Sequence, residues 1–318
     1  MSSSNTLDIV VPAYKGKFLP ALLQSLVDQT SKNFSVIVSD DASPDPIRQI
    51  CQEFSEKLRI RYVRFERNLG RADLAAHWNR SVELSTAEWV LLPGDDDLLE
   101  TTCVESFWRT RNAERRKRSS EVLSFGVRIV NESDHVIRQT QPADATTALE
   151  FMKKYLAKES CPMPVAYVFS RKIFNECGGF ASFDSGLHSD VAAWALFGAR
   201  GGIEPIENTF VRWRVTDINI SPKLHRDRPR YAEGTMRFLA WLQTNRSNLA
   251  LSDGDLALLA DLIGWEIYGP MADAPVGDWL PTACRASKLL NSCRSGSLAR
   301  HLFRFARERM RRSNSART

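Results

Sequence analysis

The stretch Trp89-Val90-Leu91-Leu92-Pro93-Gly94-Asp95-Asp96-Asp97 decides how this chain is read. Its four apolar residues suit a short buried strand, Pro93-Gly94 stops that strand, and three consecutive carboxylates follow. Adjacent carboxylates repel one another, so they persist where solvent or a cation relieves them. Mg2+ and Mn2+ favour hard oxygen donors and take one or two carboxylates together with phosphate oxygens. The same residues also suit a solvated acidic turn at a helix start, because acids favour helix N-termini. The choice between the two depends on what surrounds the run.

Upstream, the pattern of strand, turn and helix repeats. Leu7 to Val11 is an apolar run closed by Pro12 and followed by Tyr14. From Phe18, the positions Phe18, Leu19, Leu22, Leu23, Leu26 and Val27 fall at helical spacing. Phe34 to Val38 reads as a second strand ending in Ser39-Asp40-Asp41-Ala42-Ser43, and residues 46–57 as a helix with Ile47, Ile50, Cys51 and Phe54 on one face. Ile60 to Phe65 alternates as a third strand, Asn68-Leu69-Gly70-Arg71 turns the chain, and residues 72–85 suit a helix. Downstream come a helix over 100–118 and a strand over 122–130. Strands alternating with helices predict an α/β fold with a mostly parallel sheet covered on both faces. Ligands of such sheets bind outside the carboxyl ends of the strands. Tyr14, Asp40, Asp41, Asn68, Arg71 and Asp95 to Asp97 all follow predicted strands, so this topology gathers them at one rim.

The second half is less regular. Residues 148–157 suit a helix, 165–169 a strand, Gly178-Gly179-Phe180 a turn, 191–197 a helix, and 230–270 further helices. His188-Ser189-Asp190 precedes one of these helices, so Asp190 suits either an N-cap or a carboxylate that takes a proton from a hydroxyl. In Arg212-Trp213-Arg214 the two arginines share one face of a strand, suited to phosphate or to a solvent-facing edge. Asp40-Asp41-Ala42-Ser43 likewise suits a capped turn or a carboxylate facing a base or ribose. Asn68 to Arg71 suits an ordinary loop or a fixed cation for diphosphate.

Composition narrows the classes. With 318 residues, 43% hydrophobic and 25% charged, the chain has enough apolar residues for a large α/β domain plus an appendage. Six cysteines at irregular spacing, without CxxC pairs, suit a reduced cytoplasmic protein. No signal-peptide pattern opens the chain, and no run of apolar residues is long enough to span a bilayer. The absence of GxxxxGK[ST], GxGxxG and GxSxG patterns argues against P-loop NTPases, dinucleotide oxidoreductases and α/β-hydrolases.

Taken in order, these motifs resemble the family 2 glycosyltransferases with the GT-A fold, of the bacterial surface-polysaccharide or O-antigen type. The resemblance rests on Ile9-Val10-Val11-Pro12-Ala13-Tyr14, Ser39 to Ser43, Asn68-Leu69-Gly70, Asn79, Pro93 to Leu98, and Gly179-Phe180 followed by Ser189-Asp190. Ser189 stands where the family usually has Glu. The resemblance implies a GT-A type, Rossmann-like, mostly parallel sheet with helices on both faces and a helical C-terminal extension. It implies a metal-dependent, inverting transfer of a sugar from a nucleotide-sugar donor to a hydroxyl of a saccharide or lipid-linked saccharide acceptor. Pro12, Tyr14, Asp40, Asp41, Asn68, Arg71, Asp95 and Asp96 would bind the donor, with Tyr14 and Asp41 at the nucleobase and Asp95 at the ribose. Asp97 would ligate Mg2+ or Mn2+, and Asp190 would be the general base.

The expected division is a catalytic domain over 1–222, a helical extension over 223–283 and a basic amphipathic tail over 284–318. The tail from Arg285 onward carries ten Lys and Arg residues against one acid, Glu308, so the net charge of +5 originates there and the rest of the chain is acidic. A basic amphipathic helix suits an anionic inner-membrane surface. The expected location is therefore cytoplasmic, peripheral on the cytoplasmic face of the inner membrane. Nucleic acid is not an expected partner. Two other readings remain: a sugar nucleotidyltransferase, for which Pro12 to Gly16 is a poor phosphate loop, and a non-catalytic polyanion-binding protein.

Overall fold

A computed structural model describes residues 6–113, 120–183, 186–216, 227–271 and 276–293. They fall into two compact units, divided between Thr216 and Asp217.

The first unit is built on a mixed sheet. Its strands are β1 (Leu7–Ala13), β2 (Ser35–Asp40), β3 (Ile60–Arg64), β4 (Trp89–Leu91), β5 (Leu98–Leu99), β6 (Val122–Val130), β7 (Val136–Thr140), β8 (Tyr167–Ser170) and β9 (Glu204–Arg214). They lie in the order β3-β2-β1-β4-β8-β6-β9-β5, with β7 beside β6. The α/β expectation holds. The pairings β1–β2, β2–β3 and β1–β4 are parallel, as the alternation of strands and helices requires. Beyond β4 the sheet becomes mixed: β8 runs antiparallel to β4 and β6, and only β6–β9 is parallel. Among the described residues, the free edges are β3, the two-residue β5 and β7, whose Val136 and Ile137 are exposed.

The flanking helices are α1 (Leu19–Val27), α2 (Ile47–Glu53), α3 (Leu74–Val82), α4 (Cys103–Arg111), α5 (Ala148–Leu156), α6 (Arg171–Cys177) and α7 (Ser189–Phe197). Local chemistry sets several of their ends. Asp73 caps α3 by accepting from the Ala76 amide at 2.9 Å, and Thr147 and Ser170 cap α5 and α6 in the same way. Gly178, in the left-handed region at φ 75°, ends α6. The core joins Ile9, Val11, Val38 and Leu91 of the parallel strands to an aromatic group under β8. There Tyr167 stacks on Trp194 at 4.4 Å, and Phe169, Phe180 and Phe197 pack around them. Such aromatic pairs contribute ~0.5–1.5 kcal/mol each beyond the burial of their surface.

The second unit is helical: α8 (Arg228–Thr244), α9 (Asp253–Met271) and α10 (Val276–Ser292). Leu239, Leu242, Leu259, Ile263 and Leu290 are buried in it, and Tyr231 donates to Glu266 at 3.2 Å. The expected division at 222 falls outside the described residues, and α10 runs unbroken across the one expected at 283. Residues 294–318, most of the basic tail, also lie outside them. Among the described residues, no helix is long and apolar enough to cross a membrane.

Candidate active site

The parallel pairings bring Ala13 beside Asp40, Asp40 beside Arg64, and Ile9 beside Leu91. The carboxyl ends of β1, β2, β3 and β4 therefore open on one rim, where the acidic run sits. Asp95, Asp96 and Asp97 are all buried. Asp95 Oδ2 accepts from the backbone amides of Tyr14 at 2.8 Å and Lys15 at 2.6 Å, which ties the first loop to the acidic run. The Lys15 ammonium lies 2.5 Å from Asp96 Oδ2 and 3.6 Å from Asp95 Oδ1. Asp97 Oδ2 accepts from the Gly94 amide at 2.8 Å, whereas the buried Asp97 Oδ1 makes no hydrogen bond among the described residues.

The electrostatics follow from burial. Desolvation pushes the Asp95 carboxyl up to about 6, against the opposing charge of Lys15 and the amides of Tyr14 and Lys15. Desolvation, reinforced by the charge of Asp96, raises Asp97 well above the usual carboxylate range, with the amides of Gly94 and Arg214 pulling the other way. Burial works to lower the Lys15 ammonium, but the charges of Asp95 and Asp96 and the Asp96 hydrogen bond override it and hold it above its ordinary value. The acidic run is thus no solvated turn. It is a buried cluster with the Lys15 ammonium on Asp96 and, among the described residues, no partner for Asp97 Oδ1.

Asp97 Oδ1 fits a divalent ion, since a hard anionic oxygen buried without a donor is what Mg2+ or Mn2+ relieves. Among the described residues, no group of three His, Cys, Asp or Glu side chains is disposed to hold a metal. Asp97 would therefore share the ion with diphosphate oxygens rather than enclose it in a protein cage.

The other expected residues separate into exposed and internal ones. Tyr14 is exposed at the rim, at 44% of its surface, and its carbonyl accepts from Ser43 at 2.5 Å. Pro12 lies within β1, opposite Ser39. Asp40 spends its carboxylate internally: Oδ1 accepts from the Ser43 amide at 2.7 Å, and Oδ2 accepts from Tyr62 at 2.5 Å and Arg64 at 2.6 Å. Asp41 braces the next loop, accepting from the Leu69 and Gly70 amides at 2.8 Å each and from Arg80. Asn68 donates to the Asp41 carbonyl and accepts from the Arg71 amide, while the Arg71 side chain is exposed. Beside Asp41, burial lowers His77 to about 4, so it is neutral, and its Nδ1 accepts from Arg80 at 3.2 Å.

Asp190 lies in the first turn of α7 and does not cap it; the cap position is His188, held in the left-handed region at φ 64°. Asp190 Oδ1 accepts from the Val191 amide at 2.8 Å, and burial of the half-buried carboxyl pushes it up to about 7. Burial pushes the Cys161 thiol up to about 12, against the Met163 amide.

Several residues with functional weight escaped the sequence reading. Lys15 and Arg80 contact carboxylates 81 and 39 residues away, and no local pattern signals such pairs. Arg214 is neither on a solvent-facing edge nor free for phosphate. It is buried in β9, which lies between β6 and β5, and its guanidinium donates to the carbonyls of Asp96, Asn131 and Glu132 and pairs with Asp134 at 2.8 Å. It thereby fixes the backbone of the acidic run.

Fold and rim together have the arrangement of the GT-A fold. Residues 8–177 match Glycosyl transferase family 2, and the chain belongs to that family. An uncharacterized glycosyltransferase of Haemophilus influenzae is 39% identical over 92 residues, which are 29% of each protein. Glycosyltransferase GlyA of Streptococcus pneumoniae serotype 4 is 32% identical over 111 residues, 34% of this chain and 15% of GlyA. The chain thus matches less than a third of the length of either relative. Among solved structures, S. aureus TarS 1–349 in complex with UDP-GlcNAc superposes with a TM-score of 0.64 at 16% identity, over 90% of this chain and 81% of that one. Mannosyltransferase PcManGT from Pyrobaculum calidifontis, in complex with GDP-Man and Mn2+, gives 0.54 at 16% identity, over 96% and 87%. At these identities the likeness is one of fold.

Proposed function

We propose that this protein is an inverting, metal-dependent glycosyltransferase that moves a sugar from a nucleotide-sugar donor to an acceptor hydroxyl. The observation that carries this reading is Asp97 Oδ1, a buried carboxylate oxygen without a partner among the described residues, on the rim where four strand ends meet. Tyr14 and the loop braced by Asp40 and Asp41 hold the nucleobase, Asp95 and Asp96 line the ribose and diphosphate path, and Asn68 and Arg71 close the diphosphate side. A bound Mg2+ or Mn2+ offsets the charge that develops on the departing diphosphate. Asp190 accepts the proton of the acceptor hydroxyl, whose oxygen bonds to the anomeric carbon as that carbon's bond to the diphosphate oxygen breaks. Attack in line with the leaving group inverts the anomeric centre.

The acceptor in this reading is a saccharide, lipid-linked and belonging to cell-surface polysaccharide synthesis. The arginine-rich sequence over 294–318 supports an enzyme held peripherally on the cytoplasmic face of an anionic inner membrane. The test is calorimetric titration of UDP, GDP, CDP and dTDP with and without Mn2+, on the wild type and Asp97→Ala. Mn2+-dependent binding of one nucleotide, lost in the variant, is the expected result. A folded wild-type protein that binds none of the four overturns the reading.

A further inference from the structure

Lys15 places a cation where the divalent ion's own charge would act. Its ammonium contacts Asp96 directly and Asp95 at longer range, and the charge of Asp97 also acts on it. Its backbone amide is committed as well, donating to Asp95 Oδ2 beside that of Tyr14. The side chain is 29% exposed, so the pair is incompletely screened by water. The other cation at the acidic run, Arg214, is locked onto backbone carbonyls and Asp134. A divalent ion approaching Asp97 therefore meets a run already partly neutralised, with a fixed positive charge at its flank.

We propose that Lys15 keeps the acidic run poor in metal until the nucleoside diphosphate arrives, so that diphosphate and metal enter as one unit. The negative charge of the diphosphate outweighs the repulsion from the ammonium, and Lys15 then stands between anions of protein and ligand. Metal and nucleotide are coupled, each tightening the other by the same factor, and Lys15 enlarges that coupling by weakening the metal-only state. The inference rests on the metal-dependent reading above and adds to it a binding order and the residue that sets it. Lys15 acts here as a positioning and charge-setting residue, through Asp96 and Asp95.

The experiment measures Mn2+ affinity of the full chain by the paramagnetic resonance signal of free Mn2+. It uses no nucleotide, then UDP, GDP, CDP and dTDP in turn, on the wild type, Lys15→Met, Lys15→Gln and Lys15→Arg. Without nucleotide, Lys15→Met and Lys15→Gln are expected to bind Mn2+ on the order of tenfold tighter than the wild type, as loss of one nearby like charge predicts. Their nucleotide-induced gain should shrink by the same factor, and Lys15→Arg should behave as the wild type. A purely structural Lys15 predicts the opposite, because a damaged loop binds metal more weakly. Unchanged or weaker nucleotide-free binding in both neutral variants, with a wild type that binds Mn2+ in the presence of nucleotide, overturns this inference alone. A folded wild type that binds no Mn2+ with any of the four nucleotides overturns the metal-dependent reading and this inference with it.

Discussion

Asp190 is a carboxyl that burial holds near neutrality, at about 7 instead of 3.8. As a base it works only when ionised, so turnover is expected to rise about tenfold per pH unit below 7 and to level off above it. A pH–rate profile at saturating donor checks this; a flat profile between pH 5.5 and 7 removes Asp190 from the role. Asp190→Asn should lower turnover by about 10²–10⁴. Its effect on stability has the opposite sign. The native state holds the Asp190 proton more tightly than the unfolded chain, so this residue's contribution to stability is lost as pH rises from about 3.8 through about 7. Asn carries no such charge, and the variant's melting temperature at pH 8 should equal or exceed that of the wild type. At this scale the sequence conveys residue type and strand-end position but not partnership. Asp40 and Asp41 look alike as letters, yet one is consumed by Tyr62, Arg64 and the Ser43 amide while the other braces Leu69 and Gly70.

Among elements, the most specific junction joins α3 to the turn after α6. Asn79 donates to the Phe180 carbonyl at 2.9 Å and accepts from its amide at 2.8 Å, a two-bond clamp across 101 residues. Gly179 makes it possible: its φ is 78°, and a Cβ there would come within 2.5 Å of Asn79 Oδ1. Asn79→Ala leaves a buried amide and carbonyl unpaired and should cost about 1–3 kcal/mol. Gly179→Ala combines left-handed strain with that clash and should destabilise at least as much. Urea unfolding measures both, and a loss below about 0.5 kcal/mol in each would mean the clamp is dispensable. The strands β1, β2 and β4 are legible because each is a mostly buried run between turns, and β3, which has no buried residue, by its alternation. Two others are not, and of β9 only the end at Arg212 to Arg214 is. β5 is a two-residue remnant behind the acidic run, and β7 is exposed at four of its five positions, so it lacks a buried-face rhythm. β9 is broken by a register shift against β6 and by Asn208 in the left-handed region.

Over the whole molecule, charge is the property most readable from sequence alone. The eight arginines over 294–318 oppose a single acid, and about 1 kcal/mol per basic residue near an anionic leaflet would suffice for the proposed membrane attachment. Deleting 294–318 should release the protein from vesicles containing anionic lipid, read by sedimentation in about 0.1 M salt, where such attraction persists over roughly 10 Å. Equal sedimentation of the full and shortened chains would exclude the tail as the anchor.

The three sheet edges left free among the described residues differ in how they would meet another copy of the chain. β3 presents Arg61 and Arg64, whose guanidiniums reach back to Leu84, Asp40 and Ser43, and β5 offers only two residues of backbone. Charge on an edge strand and short length both discourage strand-to-strand joining. β7 has neither protection in full, since Val136 and Ile137 face solvent side by side with only Arg138 as a neighbouring charge within the strand. In a crowded solution, that hairpin is the seam at which two molecules would begin to zip together, and shelf life would be decided there.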